Sequence, residues 1–225
     1  MRTTALTANL IQLTKLGMMN AYLVREDDGF TLVDTTMSAA DGLMAAAATA
    51  GGEIKRILLT HCHGDHVGSV DSLRAKLGPG VPVLMPKIDA GILAGEPVLP
   101  PAKKRGSWPK VKTKPDSTFS GGDVIGSLQV VDCPGHTPGH VAFFDTRDKS
   151  LIAGDAFSSL GGLAVPSRPH LRFPLPWYAT CNRPQALLSA RGLRALDPTL
   201  LAVGHGRALS EPSAAMDQAI AVAAG

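Results

Sequence analysis

Three histidines and an aspartate lie within one six-residue stretch of this chain, HCHGDH at His61 to His66. The whole chain has only seven histidines, so nearly half of them are concentrated here. Neutral imidazole nitrogens and carboxylate oxygens are the ligands that zinc and related divalent metals take from proteins. The stretch therefore predicts a metal site, and the chemistry that such a site supports is metal-assisted hydrolysis.

The predicted strand Ile54 to Thr60 delivers this stretch at its carboxyl end. Alternate residues of a strand project to the same side, so His61 and His63 can meet one ion while Cys62 points into the core. Gly64 lets the backbone turn tightly, and the next two residues, Asp65 and His66, then face a second point close by. The spacing favours two neighbouring metals over one.

Three more candidate ligands follow predicted strands at glycine-flanked turns. They are His136 in CPGHTPGH, Asp155 in LIAGDAF and His205 in AVGHGR. Glycine permits the close backbone approach and unusual dihedral angles that compact metal sites often need. Several strands thus end in a residue that can bind a metal.

The remaining sequence predicts the elements that must bring these turns together. Predicted strands are Ile11–Leu13, Ala21–Val24, Phe30–Val33, Val81–Met85, Ser127–Asp132, His140–Asp145, Ser150–Ala153 and Leu200–Val203, with EDDG joining the second and third as a hairpin. Predicted helices are Ala39–Ala50, Val67–Leu77, Arg183–Leu196 and one from about Pro212, whereas the stretch from Pro86 to about Pro115 is predicted to be loop-rich. The alternation over two halves predicts one α/β or α+β layered domain spanning residues 1–225.

The full set, His61-x-His63-x-Asp65-His66 with His136, Asp155 and His205, resembles the metallo-β-lactamase-fold hydrolase superfamily over nearly the whole chain. The resemblance implies an αββα sandwich with metals at one edge of its two sheets. It also implies that His61, His63 and His136 hold a first metal and that Asp65, His66 and His205 hold a second. Asp155 would bridge the two ions.

Two divalent cations are therefore the implied cofactors. Zinc is the metal most expected, and iron, manganese or cobalt are compatible with the same ligands. Such a pair of cations lowers the pKa of a bridging water toward about 7, so that hydroxide is available at neutral pH. The hydroxide would attack a carbonyl carbon, with Asp65 or Asp155 moving the proton afterwards. The predicted activity is hydrolysis of carboxylic ester, lactone or thioester bonds in a small molecule.

Residues around the metals are predicted with alternatives. Asp34, in TLVDTT, matches a family aspartate that orients a ligand histidine, or it caps a turn. His140 is predicted to be a structural hydrogen-bonding residue, and a catalytic role is the less favoured alternative. A substrate pocket is predicted from Met19, Phe157, Trp177 and Tyr178, together with Met18 and Trp108, although such apolar residues are ordinarily core.

The branch of the superfamily stays open between glyoxalase II-like and lactonase-like enzymes. Glyoxalase II carries a helical extension that holds glutathione, whereas 20 residues follow His205 here. Lactonases often place tyrosine three residues after the bridging aspartate, where this chain has Ser158. A mononuclear-iron persulfide dioxygenase-like oxygenase and a phosphodiesterase or nuclease of the same fold are the alternatives. Asp155 and the missing signal peptide argue against an exported β-lactamase.

Composition sets the remaining expectations. An apolar content of 44% with 18% charged residues is typical of a globular protein, and three separated cysteines do not indicate a disulfide framework. No apolar stretch is long enough for a membrane helix and no signal peptide is evident, so we expect a cytoplasmic protein without a membrane partner. The sequence allows a homodimer.

Positive charge is concentrated in one Pro-rich segment, although the formal net charge is only +3. Such a small net charge does not indicate a nucleic-acid partner. The segment, named the basic loop below, carries Lys103, Lys104, Arg105, Lys110, Lys112 and Lys114. It is expected to be a solvated loop, with contact to an anionic partner or substrate as the alternative.

Overall fold

The computed structural model of the chain describes all 225 residues and contains two β-sheets with helices on their outer faces. The first sheet holds, in spatial order, β1 (Arg2–Ala5), β2 (Leu10–Lys15), β3 (Met19–Glu26), β4 (Gly29–Val33), β5 (Ile54–Leu58), β6 (Val83–Pro86) and β7 (Ser117–Phe119). The second holds β8 (Val124–Ile125), β9 (Leu128–Asp132), β10 (Val141–Asp145), β11 (Ser150–Ile152), β12 (Leu200–Ala202) and β13 (Leu209–Ser210). Each sheet keeps its strands in chain order.

Seven helices complete the fold, with a short 3₁₀ turn at Gly154–Ala156. They are α1 (Ala40–Thr49), α2 (Gly64–Val67), α3 (Val70–Leu77), α4 (Lys87–Leu93), α5 (Leu175–Ala179), α6 (Arg183–Ala195) and α7 (Ser213–Ala224). Strands β1 to β4 pair antiparallel, and β4 to β7 pair parallel. In the second sheet only β11 and β12 pair parallel.

Three apolar clusters define the layers of the protein. One packs α1 and α3 against the first sheet, through residues such as Leu43 and Leu73. A second packs α6 and α7 against the second sheet, through residues such as Leu193 and Met216. The third lies between the sheets and includes Phe143, which is fully buried. The layers run helix, sheet, sheet, helix, so the predicted αββα sandwich is confirmed.

Local sequence accounts for the boundaries that matter to the site. The turn predicted at EDDG is a two-residue hairpin in which Glu26 pairs with Gly29. Helix α6 begins after Asn182, whose side-chain oxygen accepts a hydrogen bond from the backbone nitrogen of Gln185. Pro184 lies in the first turn of that helix, where a missing N–H costs nothing.

Several short elements were not predicted. Residues Pro86 to about Pro115 were predicted to be loop-rich, and within them α4 occupies Lys87–Leu93. Pro86 ends β6 and immediately precedes the first helical residue, where its missing N–H removes no helical hydrogen bond. The predicted helix Val67–Leu77 is also divided, since α2 ends at Val67 and α3 begins at Val70.

No helix in the structure combines the length and the apolar composition that crossing a membrane requires.

Candidate metal centre

The seven candidate ligands converge at one edge of the sandwich. His61 to His66 follow β5, His136 follows β9, Asp155 lies in the 3₁₀ turn after β11, and His205 follows β12. All five histidines in this set are almost fully buried. Residues that are far apart in the chain thus share one small, water-poor region, as the sequence predicts.

The first group of ligand atoms comes from His61, His63 and His136. One nitrogen of each lies within 4.8 Å of the others. Nδ1 of His63 is 3.0 Å from Nε2 of His136. Two such nitrogens can share at most one proton, so the pair presents at least one free lone pair to the space between them.

The second group comes from Asp65, His66, Asp155 and His205, whose ligand atoms also lie within 4.8 Å of one another. Oδ2 of Asp65 is 3.1 Å from Nε2 of His205. Oδ2 of Asp155 lies 3.2 Å from Nε2 of His205 and 3.2 Å from Nε2 of His136. Asp155 therefore reaches both groups with one carboxylate, which is the geometry that a bridging ligand needs.

Three buried atoms in this region make no hydrogen bond of good geometry: Nε2 of His61, and Nε2 of His66 and Oδ1 of Asp155, which lie 3.3 Å from each other. Leaving a buried polar atom unpaired costs free energy, so each such atom in a folded protein requires an explanation. The three come from both groups of ligands. Divalent cations held by these side chains would satisfy them, and the donor set therefore fits the metals that the resemblance implies.

Burial and neighbouring charges set the protonation of the histidines. Burial, followed by the charges of neighbouring histidines, holds the pKa of His61 well below its usual range and lowers that of His63 to about 3. Burial also acts against charge on His205, but the carboxylates of Asp155 and Asp65 outweigh it and raise its pKa to about 10. His61 and His63 are thus neutral, the form that binds metals, whereas a metal at His205 would displace a proton.

The second ring nitrogen of every ligand histidine has a partner outside the centre. The pairs are His61 Nδ1 with Thr60 Oγ1 (3.0 Å), His63 Nε2 with the Arg105 carbonyl (3.0 Å), His66 Nδ1 with Asp34 Oδ2 (2.7 Å), His136 Nδ1 with Thr180 Oγ1 (3.0 Å), and His205 Nδ1 with the Met18 carbonyl (3.1 Å). Such partners fix the tautomer and the orientation of the ring. They leave Nδ1 of His63 and Nε2 of the other four rings to face the centre.

Asp34 is the charged member of this outer set. Its backbone has φ of +60°, a conformation that aspartate tolerates better than most residues. Besides His66, its carboxylate accepts hydrogen bonds from the backbone nitrogen and the hydroxyl of Thr60, both at 2.8 Å. The structure thus places Asp34 where the resemblance requires it, against the outward nitrogen of a ligand histidine.

Asp34→Asn is expected to weaken metal binding at the second group by about 10-fold to 100-fold while the protein stays folded. Asparagine also tolerates the positive φ, but it loses the negative charge that orients and polarises His66. Metal affinity is measured by competition with a chromophoric chelator. The control is Asp27→Asn, at an exposed position in the hairpin turn. Equal affinity in the two variants would contradict the role assigned to Asp34.

His140 and Asp89 hold the backbone of the ligand loops. Nε2 of His140 accepts a hydrogen bond from the backbone nitrogen of Asp155 at 3.0 Å, and its Nδ1 lies 3.0 Å from Sγ of Cys133. His140 therefore makes structural hydrogen bonds, and it reaches the centre through the position of Asp155. Asp89 was not among the predicted site residues.

The carboxylate of Asp89 accepts three hydrogen bonds from two ligand loops. The donors are the backbone nitrogen of Cys62 (2.9 Å), the hydroxyl of Thr137 (2.6 Å) and the backbone nitrogen of Gly139 (2.7 Å). Burial raises the pKa of Asp89, although the hydrogen bonds act in the opposite direction. Asp89 thus ties the HCHGDH segment to the loop of His136. It lies in α4, within the stretch that was predicted to be loop-rich.

The predicted pocket residues lie in different environments. Met19 is buried and forms a backbone bridge with His205. Trp177 is half-buried on α5, and Tyr178 beside it is 63% exposed. Phe157 is fully buried in the cluster between the second sheet and its helices, so its assignment to a pocket is wrong. Its aromatic ring fills the core because the strand-like backbone at this position directs it inward.

Two aromatic residues contact the centre, one of them a predicted pocket residue. The ring of Phe173, which was not predicted, lies 5.2 Å from the ring of His205. The ring of Trp108, which was predicted, lies 5.4 Å from the ring of His63. These distances are centroid separations typical of aromatic contact. The walls of the site therefore come from residues 105–109 and 173–177 more than from the turn after Asp155.

A layered sandwich whose edge carries two adjoining sets of buried histidines and carboxylates defines a class of metal-binding α/β proteins. The chain belongs to the metallo-beta-lactamase superfamily, because the model of that family matches residues 14–205. It is 43% identical over 208 residues to the uncharacterized protein YobT of Bacillus subtilis, covering 90% of this chain and 89% of that protein.

Two further similarities bear on the site. The solved structure of TTHA1623 in a di-iron-bound form is 28% identical, with a TM-score of 0.67 over 90% of this chain and 94% of that one. A hydroxyacylglutathione hydrolase of Stenotrophomonas maltophilia is 34% identical over 166 residues. That match covers 72% of this chain but only 52% of the enzyme, so the chain spans about half the length of that relative.

Proposed function

We propose that the protein is a hydrolase of carboxylic ester, lactone or thioester bonds in small molecules and that it uses two divalent metal ions. The observation that carries the proposal is the position of Asp155, whose carboxylate lies 3.2 Å from a histidine of each ligand group. The buried Nε2 of His61, which makes no hydrogen bond, supports it. The match to hydroxyacylglutathione hydrolase favours thioesters among the three substrate classes.

The chain would hold one cation with His61, His63 and His136 and the other with Asp65, His66 and His205, with Asp155 between them. When bound, the cations supply Lewis acidity and make water a nucleophile at neutral pH. Zinc is the proposed metal, and the di-iron form of TTHA1623 makes iron the alternative.

Asp65 is the residue that we assign to proton transfer. Its side chain is 29% exposed, whereas that of Asp155 is 4% exposed, so only Asp65 can readily exchange a proton with solvent. Burial opposes ionisation of Asp65, but His66 and His205 hold its pKa below the usual range. Its Oδ2 lies 3.1 Å from Nε2 of His205, within reach of the centre.

The proposal is tested with purified protein whose metal content has been quantified. The substrates are a glutathione thioester, an acyl homoserine lactone, a chromogenic cephalosporin and a phosphodiester. We expect turnover of the thioester or the lactone, loss of that turnover on chelation, and recovery when zinc is restored.

Oxygen uptake with a persulfide substrate separates hydrolysis from the oxygenase alternative. Metal-loaded protein that consumes oxygen and hydrolyses none of the carbonyl substrates would overturn the proposal. Turnover of the phosphodiester alone would support the nuclease alternative instead.

A further inference from the structure

The basic loop is attached directly to the metal centre by its backbone. Besides the bond from His63 to the Arg105 carbonyl, the backbone nitrogen of Gly64 donates to the carbonyl of Ser107 at 3.0 Å. Gly106, with φ of +77°, passes so close that a Cβ there would lie 2.8 Å from Nε2 of His63. The segment from Arg105 to Ser107 is therefore a wall of the site, and the region beside it is called the mouth of the centre.

The start of α6 is attached to the same mouth. The hydroxyl of Thr180 contacts His136, and the backbone nitrogen of Cys181 donates to the His136 carbonyl at 3.0 Å. The backbone nitrogen of Lys103 in turn donates to the carbonyl of Cys181 at 3.0 Å. These bonds place Arg183, the first residue of α6, next to the basic loop.

Cations at this mouth have no anionic partners within the protein. Four other arginines pair with carboxylates, namely Arg56, Arg74, Arg147 and Arg194. No ion pair within 4.0 Å involves Arg105, Arg183 or any lysine of the basic loop. An unpaired cluster of like charge is unfavourable in the free protein, and it is relieved when an anion binds.

Arg183 is held in a defined position even though it lacks a carboxylate partner. Its guanidinium lies 4.0 Å from the centre of the Trp177 ring, a stacking contact that arginine makes well. Its Nε is buried and has no hydrogen-bond partner. Burial and then the charge of Arg105 lower the pKa of Arg183, in line with the backbone bonds that bring the start of α6 to the basic loop.

We infer that Arg105 and Arg183 form an anion subsite at the mouth of the metal centre, and that the substrate carries a carboxylate or phosphate group beside its scissile carbonyl bond. The inference rests on the proposed hydrolase function and specifies its substrate class. Guanidinium groups bind such planar or tetrahedral oxyanions with paired, charge-assisted hydrogen bonds. Trp177 holds one of them in place, which lowers the entropy lost on binding.

Three thioesters with the same acyl group test this inference: 3-(acetylthio)propanoate, 2-(acetylthio)ethyl phosphate and the neutral 3-(acetylthio)propanamide. For the wild-type protein we expect kcat/KM to be higher for at least one anionic substrate than for the neutral one. Arg183→Gln and Arg105→Gln should each reduce that preference by about 10-fold to 100-fold, chiefly through KM. Which anion is preferred identifies the group that the subsite takes.

Arg191→Gln is the matched control, because Arg191 is an exposed arginine without an ion pair on the same helix. It should leave the preference unchanged. Titration of inorganic phosphate into metal-free protein provides a measurement that does not depend on turnover. The Kd for phosphate should rise in Arg105→Gln and Arg183→Gln and stay constant in the control.

The outcomes separate the two proposals. If the protein hydrolyses all three thioesters equally and phosphate binding is the same in every variant, the anion subsite is wrong while the hydrolase stands. If no substrate is hydrolysed but phosphate binding depends on Arg105 and Arg183, the subsite stands and the hydrolase proposal fails. Salt-sensitive RNA binding that both substitutions abolish, without discrimination among thioesters, would overturn the small-anion inference.

Discussion

Asp155→Ala is expected to lower kcat/KM by about three orders of magnitude or more and to release at least one of two bound metal equivalents. The carboxylate of Asp155 lies within 3.3 Å of histidines from both ligand groups. Its removal would take a negative charge from between the two groups, so two bound cations would repel each other more strongly.

The variant is expected to remain folded, because the backbone nitrogen of Asp155 can still donate to His140. Metal content is measured by inductively coupled plasma mass spectrometry. Turnover is measured with the best substrate of the panel, and folding is measured by circular dichroism. Asp27→Ala, at an exposed turn position, is the control. Two bound metals together with undiminished turnover in Asp155→Ala would contradict the dinuclear mechanism.

The seven candidate ligands could be predicted because each of them stands in a recognisable sequence context. The HCHGDH segment joins two kinds of ligand at strand spacing, and His136, Asp155 and His205 follow apolar strands at glycines. Hydrophobic pattern also predicted the longer strands and helices, since these bury one face over several residues. Two- and three-residue strands such as β8 and β13 are too short to show a pattern.

The partners that orient the ligands could not be predicted in the same way. His63 and His205 are held by the backbone carbonyls of Arg105 and Met18, and every residue has a carbonyl. Thr180 is a common residue whose role depends on being brought next to His136 from 44 positions away. Only Asp34 was predicted, and it was found by resemblance to the family.

The sequence correctly predicted a solvated basic loop but did not predict that this loop contacts the metal centre. The prolines do exclude regular structure there, and Lys103 and Lys104 are exposed, as expected of a solvated loop. The backbone of the same segment nevertheless contacts the candidate ligand His63 and the turn after it. Contact between a loop and a distant turn leaves no periodic signal in either sequence, so only the fold reveals that this loop lies against the centre.

Asp89→Ala is expected to destabilise the protein by about 3–5 kcal/mol, which is a large part of the roughly 5–15 kcal/mol that stabilises a typical domain. Asp89 is completely buried, and its removal leaves the donors of Cys62, Thr137 and Gly139 without acceptors. Each buried unpaired donor costs about 1–3 kcal/mol, partly offset when water enters the space.

Urea unfolding of metal-free protein measures this loss without a contribution from bound metal. Asp89→Asn keeps one acceptor oxygen and should fall between the wild type and Asp89→Ala. The control, Asp123→Ala, removes an exposed carboxylate whose side chain accepts a single hydrogen bond, from Ser120, and should cost about 1 kcal/mol or less. If Asp89→Ala unfolds at the wild-type urea midpoint, Asp89 does not hold the two ligand loops together. If it is less stable but still folded, its affinity for metal should also fall, because His61, His63 and His136 lie on the two loops that Asp89 connects.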